Sequence, residues 1–295
     1  MIACSSHDEN SENRATNKTI NIKPSVKSMQ TRALSSDDLQ NTYFNDGAKI
    51  NVYLTNSTTV SSIDNLSSGY ATYTYSQSSH IWTSSVSGLK YPADGTSVDA
   101  FGIYPATVTK DKTSFKVEYE QWDVDNYLKS DLMYAYSSGN TAINDPINLQ
   151  FNHCLTKITI KLIPSAGMTK EEITNNIGDM YIDNITQNAT LSFSDNKITA
   201  TASGDQNGGV CISGSDCFST EGVSCIIIPQ RIPSGTQLFS VDVADKYYFY
   251  TTDQEITFNE GKEYIFTITL GDRSITSSYH NVKDWIPEDK IGTAL

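Results

Sequence analysis

Few residues in this chain could do covalent chemistry. Five cysteines and four histidines occur among 295 residues. The sequence opens Met1-Ile2-Ala3-Cys4, and the polar run SSHDENSENRATN follows. A small residue directly before a cysteine is how a bacterial lipoprotein signal peptide ends. Cys4 is therefore read as the lipidation site of a native precursor, and residues 1–18 as its disordered tether. The alternative is that Cys4 is an ordinary cysteine.

Cys154, Cys211, Cys217 and Cys225 remain, and four thiols allow three pairings. Cys211 and Cys217 enclose ISGSD, a turn-forming stretch that a local disulfide could close in an oxidising compartment. Cys154 and Cys225 sit in apolar runs and read as small core residues. No C-x-x-C occurs and the histidines are scattered, which argues against zinc. The motifs G-x-S-x-G, H-E-x-x-H and the Walker loop are absent, so the chain does not read as an enzyme and implies no cofactor. Asp123-Val-Asp125-Asn126 begins like a calcium loop. It has Leu128 where an EF-hand needs Gly and Tyr134 where it needs Glu, so it is read as a solvated loop.

One peptide bond stands out for proteolysis. Arg32-Ala33 lies in residues 28–41, a polar stretch with the character of an accessible linker. Before it, Ile20, Ile22 and Val26 alternate with Pro24 in phase. Proline lacks an N–H, so residues 19–27 are expected to form an edge strand.

The elements that would position these residues are strands. Tyr, Thr, Val and Ile are frequent, and 17 tyrosines stand against 5 methionines. Short alternating runs recur from Ala48 to Leu270, with turns at Asn45-Asp46-Gly47, Ala93-Asp94-Gly95 and Asn259-Glu260-Gly261. A single short helix is expected at Thr169–Asn176, where a Thr cap precedes a Glu by three residues. Midway, Pro146–Leu162 alternates through Ile147, Leu149, Phe151, His153 and Leu155, then changes parity at Ile158, Ile160 and Leu162. A one-residue slip turns every side chain to the other face, so a break near Thr156-Lys157 is expected. The fold class is read as all-β, with two tandem β-sandwich domains over residues 19–152 and 153–295. One long bent strand inside a single domain is the alternative.

The net charge of −13 disfavours nucleic acid as a partner, because an acidic surface repels phosphates. No apolar run approaches the ~18–20 residues needed to span a bilayer. Trp82, Trp122 and Trp285 with the tyrosines could stack on sugars, although tyrosine also suits half-buried strands.

Several segments together resemble the fimbrillin family, the subunits of type V pili of Bacteroidales bacteria. They are Thr31-Arg32-Ala33, Phe44-Asn-Asp46-Gly47 with Ile50-Asn-Val52-Tyr53, Trp82 with Tyr91-Pro92, and Phe101-Gly-Ile-Tyr104-Pro105. Asp131-Leu-Met-Tyr134-Ala135, Leu149-Gln-Phe151-Asn-His153-Cys-Leu155, Phe258-Asn-Glu-Gly261-Lys262-Glu-Tyr264 and Val282-Lys-Asp-Trp285 complete the set. Their order and spacing over residues 31–285 carry the resemblance.

That resemblance implies two sandwiches of transthyretin-like Greek-key topology and a surface location. It implies a precursor lipidated at Cys4, held at the outer membrane and cut by a trypsin-like protease at Arg32-Ala33. The removed strand would carry Ile20, Ile22 and Val26. The emptied groove would accept a donor strand from another pilus subunit. Strand loss exposes backbone N–H and C=O groups and an apolar slot that another chain can fill. A shaft subunit needs a C-terminal donor, for which Ser274–Trp285 and Ile286–Leu295 are candidates; a tip or accessory subunit donates none. A glycan-binding surface lipoprotein, with a host or glycan ligand, is the alternative from another class. A hydrolase with dispersed catalytic residues is a third.

Overall fold

The computed structural model describes residues 18–26, 44–59, 61–164, 167–213, 222–244, 246–270 and 275–284. Its regular elements are mostly strands, as the composition predicts. The described chain divides into two compact units. Residues 18–26, 44–109 and 134–151 belong to the first, and residues 110–133 and 152–284 to the second. The passage from one to the other falls between Phe151 and Asn152. Residues 110–133 lie with the second unit, which a purely sequential division does not anticipate. Among the contacts that hold them there, Ser114–Lys116 pairs with Asn188–Thr190, and the Gln121 amide exchanges hydrogen bonds with the Ile226 backbone at 2.7 and 2.8 Å.

The first unit is one seven-stranded sheet. Its strands are β1 (Ile22–Val26), β2 (Lys49–Asn56), β3 (Tyr70–Ser76), β4 (Ile81–Ser84), β5 (Val98–Tyr104), β7 (Met133–Asn140) and β8 (Ile147–His153). They lie in the order β1-β8-β7-β5-β2-β3-β4, so β1 is an edge strand, as Pro24 requires. β2 is central: Ile50, Val52 and Leu54 are fully buried, and so is the polar Asn51. The Asn51 amide is satisfied inside the sheet, donating to Ala106 O (2.8 Å) and Val108 O (3.0 Å) and accepting from Thr72 Oγ1 (2.8 Å). Gly47, with φ +76°, makes the turn into β2.

The second unit contains β6 (Ser114–Lys116), β9 (Thr156–Pro164), β10 (Ile177–Ile185), β11 (Asn188–Ser194), β12 (Lys197–Ala202) and β13 (Gly208–Ser213). It continues with β14 (Val223–Ile227), β15 (Gln230–Ile232), β16 (Gln237–Val243), β17 (Lys246–Thr251), β18 (Ile256–Phe258), β19 (Lys262–Leu270) and β20 (Ile275–Asp284). Two four-stranded sheets dominate, ordered β13-β10-β16-β17 and β14-β9-β19-β20. Phe239 of the first meets Phe266 of the second edge-on at 4.7 Å, and Phe258 packs on Tyr264 at 4.9 Å. These rings are the centre of the second core. Among the described residues of this unit, a Lys157–Glu263 ion pair (3.6 Å) and a His153–Asp131 hydrogen bond (2.8 Å) are buried.

The parity change is realised as a gap between strands. β8 stops at His153 and β9 starts at Thr156, with the break at Cys154-Leu155, slightly before the expected position. There the Cys154 N–H donates to Leu132 O instead of to a ladder partner (2.8 Å). β9 then enters a different sheet, parallel to β19 and antiparallel to β14.

Two helices occur. The expected one is α2 (Lys170–Asn176), and its capping box is complete: Glu172 N–H donates to Thr169 Oγ1 (3.1 Å) and Thr169 N–H to Glu172 Oε2 (2.8 Å). The other corrects the reading of residues 123–126 as a solvated loop. Asp123 is the N-cap of α1 (Val124–Ser130), its carboxylate accepting from Asn126 N–H at 3.0 Å. The acidic spacing serves a helix start rather than a cation. No helix of the described residues is long and apolar enough to cross a membrane.

Candidate functional site

The expected edge strand is the feature of the first unit with the clearest means of acting. Ile20, Ile22 and Val26 fall on one segment. Residues 18–20 run antiparallel to residues 89–91, with Ile20 N–H to Leu89 O at 2.9 Å and Tyr91 N–H to Lys18 O at 3.1 Å. The chain then turns into β1, which pairs parallel with β8. The register sets Ile22 beside Ile147, Pro24 beside Leu149 and Val26 beside Phe151. Ile147, Leu149 and Phe151 have no solvent exposure and form the floor of a groove. Ile20 and Val26 are buried, whereas Ile22 and Pro24 are half-buried. The alternation found in the sequence is thus one face of a strand laid along an apolar slot.

The groove is closed at one end by rings. Phe44 stands edge-on to Phe151 (5.3 Å), Tyr104 (5.5 Å) and Trp82 (5.0 Å). Phe151 reaches across to β5, where a Cβ on Gly102 would lie 2.6 Å from Phe151 Cζ. Gly102 is therefore glycine because the ring occupies the space a side chain would take.

A polar clamp that sequence reasoning missed holds the other end. Asp145, with its side chain 4% exposed, accepts from Asn21 N–H at 2.8 Å and from Asn21 Nδ2 at 2.7 Å. Tyr91 OH donates to the same carboxylate at 3.2 Å, and Lys18 Nζ lies 3.8 Å away. Burial, and then the Asp145 charge, push the Tyr91 hydroxyl well above its ordinary pKa, so it stays a donor throughout the physiological range. Only an aspartate beside a proline marks this residue in the sequence. Its partners are 54 and 124 positions away, and no local spacing reports them.

Asp145→Ala should loosen residues 18–26 selectively. It removes three charge-assisted hydrogen bonds, two from Asn21 and one from Tyr91, together with the Lys18 ion pair, and leaves Asn21 N–H without its acceptor, a loss on the order of 2–4 kcal/mol. Hydrogen exchange in peptides covering residues 18–26 should accelerate at least tenfold, while β5 keeps its protection. Equal acceleration in both segments would show that Asp145 supports the whole unit and not the strand.

Cys4, Arg32, Ala33, Cys217 and Trp285 lie outside the described residues. Cys211 is buried in β13, a strand the sequence reading missed because Gly208 and Gly209 weaken its signal. Gly209 is needed there, since a Cβ would meet Ile182 O at 2.8 Å. Trp82, half-buried on β4, packs against Phe44 and Tyr75 (5.0 and 5.1 Å). Of the two candidate donor segments, Ser274–Trp285 contains β20, an edge strand paired antiparallel with β19, and Ile286–Leu295 lies outside the described residues.

Comparisons with known proteins agree with this architecture. A family model described as "Fimbrillin-like" matches residues 31–285. No curated protein matches the chain. A solved candidate cell-adhesion protein from Bacteroides uniformis superposes with a TM-score of 0.68 at 19% identity, covering 90% of this chain and 98% of that one. A second, from Bacteroides ovatus, gives a TM-score of 0.70 at 18% identity, covering 92% and 99%. At such identities the likeness concerns the fold alone.

Proposed function

The chain belongs to the fimbrillin-like family, and from that premise we propose that it is a structural subunit of a bacterial surface pilus that assembles by protease-triggered donor-strand exchange. One observation carries the reading. The first described strand is an edge strand over a groove of Ile147, Leu149 and Phe151, and the chain reaches β2 from it through a polar segment containing Arg32-Ala33. Proteolysis at that bond makes β1 non-covalent. A strand from a neighbouring subunit then takes its place, gaining the β8 backbone edge and the apolar floor together.

In this reading the subunit's partners are other pilus subunits and a trypsin-like protease. Lipid on Cys4 holds the precursor at the outer membrane until it is cut. Protein treated with an arginine-specific protease should form filaments visible by negative-stain electron microscopy, and untreated protein should not. Cut protein that stays monomeric at high concentration would refute assembly by this route.

The anchoring step has its own test. The precursor with its leader, expressed in a bacterial host, should carry acyl mass on the peptide that begins at Cys4, and Cys4→Ala should release the protein into the soluble fraction. Wild-type peptide without that mass would remove the lipid from the scheme.

A further inference from the structure

We propose that the second unit carries a binding site for a neutral oligosaccharide where the connection from β15 to β16 meets Asn184 of β10 and Gln206. A cleft of about 380 Å³ opens there, lined by Asn184, Gln206, Pro233, Gly235, Thr236 and Gln237. None of these residues is charged. Three are amides, and each has its nitrogen held by the protein. Asn184 Nδ2 donates to Gln237 O (2.7 Å), Gln206 Nε2 to Arg231 O (2.6 Å) and Gln237 Nε2 to Tyr247 OH (2.8 Å). The first two acceptors are carbonyls, which fixes those amides with oxygen as the remaining free group. Among the described residues, the side-chain oxygens of Asn184, Gln206 and Gln237 accept no hydrogen bond. The cleft therefore presents preorganised acceptors without charge, which suits hydroxyl donors.

Beside it stands an aromatic surface. Tyr247 and Phe249 on β17 are 53% and 50% exposed, with ring centroids 6.1 Å apart. The Gln237–Tyr247 hydrogen bond joins this surface to the cleft. Exposed rings next to oriented amides match a sugar, which has an apolar C–H face for stacking and a rim of hydroxyls. An anion finds no cation in the lining, and the nearby Arg231 is paired with Glu255 at 3.1 Å. The site is independent of strand exchange in the first unit.

The full chain should bind at least one class among mannose-, galactose- and N-acetylglucosamine-terminated neutral oligosaccharides on a microarray. Gln237→Ala, Tyr247→Ala and Phe249→Ala should each weaken that binding tenfold or more. Trp122→Ala, which removes another exposed ring (54%), should leave it unchanged. Circular dichroism should show all four variants folded, since each side chain lies at the surface. The proposal is overturned if no neutral glycan binds, if only sialylated glycans bind, or if binding survives all three substitutions. It is also overturned if the three variants abolish only self-association, which would make this face a contact between copies of the chain.

Discussion

Arg32→Ala should leave the chain uncut between β1 and β2 and unable to form filaments after protease treatment. The expectation rests on where the arginines fall. The sequence holds four: Arg14, Arg32, Arg231 and Arg273. A cut after Arg14 leaves β1 joined to the body. Arg231 lies in β15, which is paired with β18, so its bond is protected by structure. Arg273 follows β19 and lies far along the chain from β1. Arg32 is the arginine whose cleavage frees β1. Once free, β1 is held by the burial of Ile20 and Val26 and part of Ile22. At about 1.5–3 kcal/mol per fully buried side chain, this is roughly 4–7 kcal/mol. Ordering residues 20–26 costs about 1–2 kcal/mol per residue, roughly 7–14 kcal/mol in all, so burial alone does not hold the strand and it is exchangeable. While the linker is intact, high effective concentration keeps β1 in place. Mass spectrometry should find a peptide ending at Arg32 in the wild type only, and electron microscopy should find filaments in the wild type only. A mutant that polymerises as well as the wild type would refute the mechanism.

Much of this groove could be read from sequence, because its parts repeat with period two. β8 and β1 each alternate over several residues, and Pro24 alone excludes a central position for β1. The α2 cap was legible because both members of the box lie within four residues. What escaped shares one physical cause, which is distance along the chain. Parallel pairing of β1 with β8 joins residues more than 120 positions apart, and neither strand encodes its partner's direction. Asp145 and Asn21 are ordinary surface residues until the fold brings them together. The acidic run at Asp123 was misread because a cap and a cation loop use the same side chains. Tyr247 and Phe249 were hidden among the many tyrosines, since alternation marks a strand's faces without saying which one meets solvent. The family resemblance reached further than local pattern because it depends on the order of many weak segments.

Phe151→Ala should be among the most damaging single changes in the first unit. The ring has no solvent exposure, packs on Phe44 at 5.3 Å, sits beside Val26 in register and fills the space over Gly102. Truncating a buried Phe removes its transfer energy and leaves a cavity, typically about 3–5 kcal/mol together. The loss should appear as faster hydrogen exchange through β8 and β5, and as weaker retention of β1, whose Val26 loses its neighbour. Gly102→Ala should also destabilise the wild type, because its Cβ would enter the ring at 2.6 Å. In the Phe151→Ala background that clash disappears and the new methyl occupies part of the cavity. The two substitutions should therefore cost less together than the sum of each alone, by about 1–3 kcal/mol. Exchange protection in peptides from β5 and β8, measured for the four chains of the cycle, gives this coupling directly. Additive costs would mean that the ring does not rest on Gly102, and that the groove floor is held by other contacts.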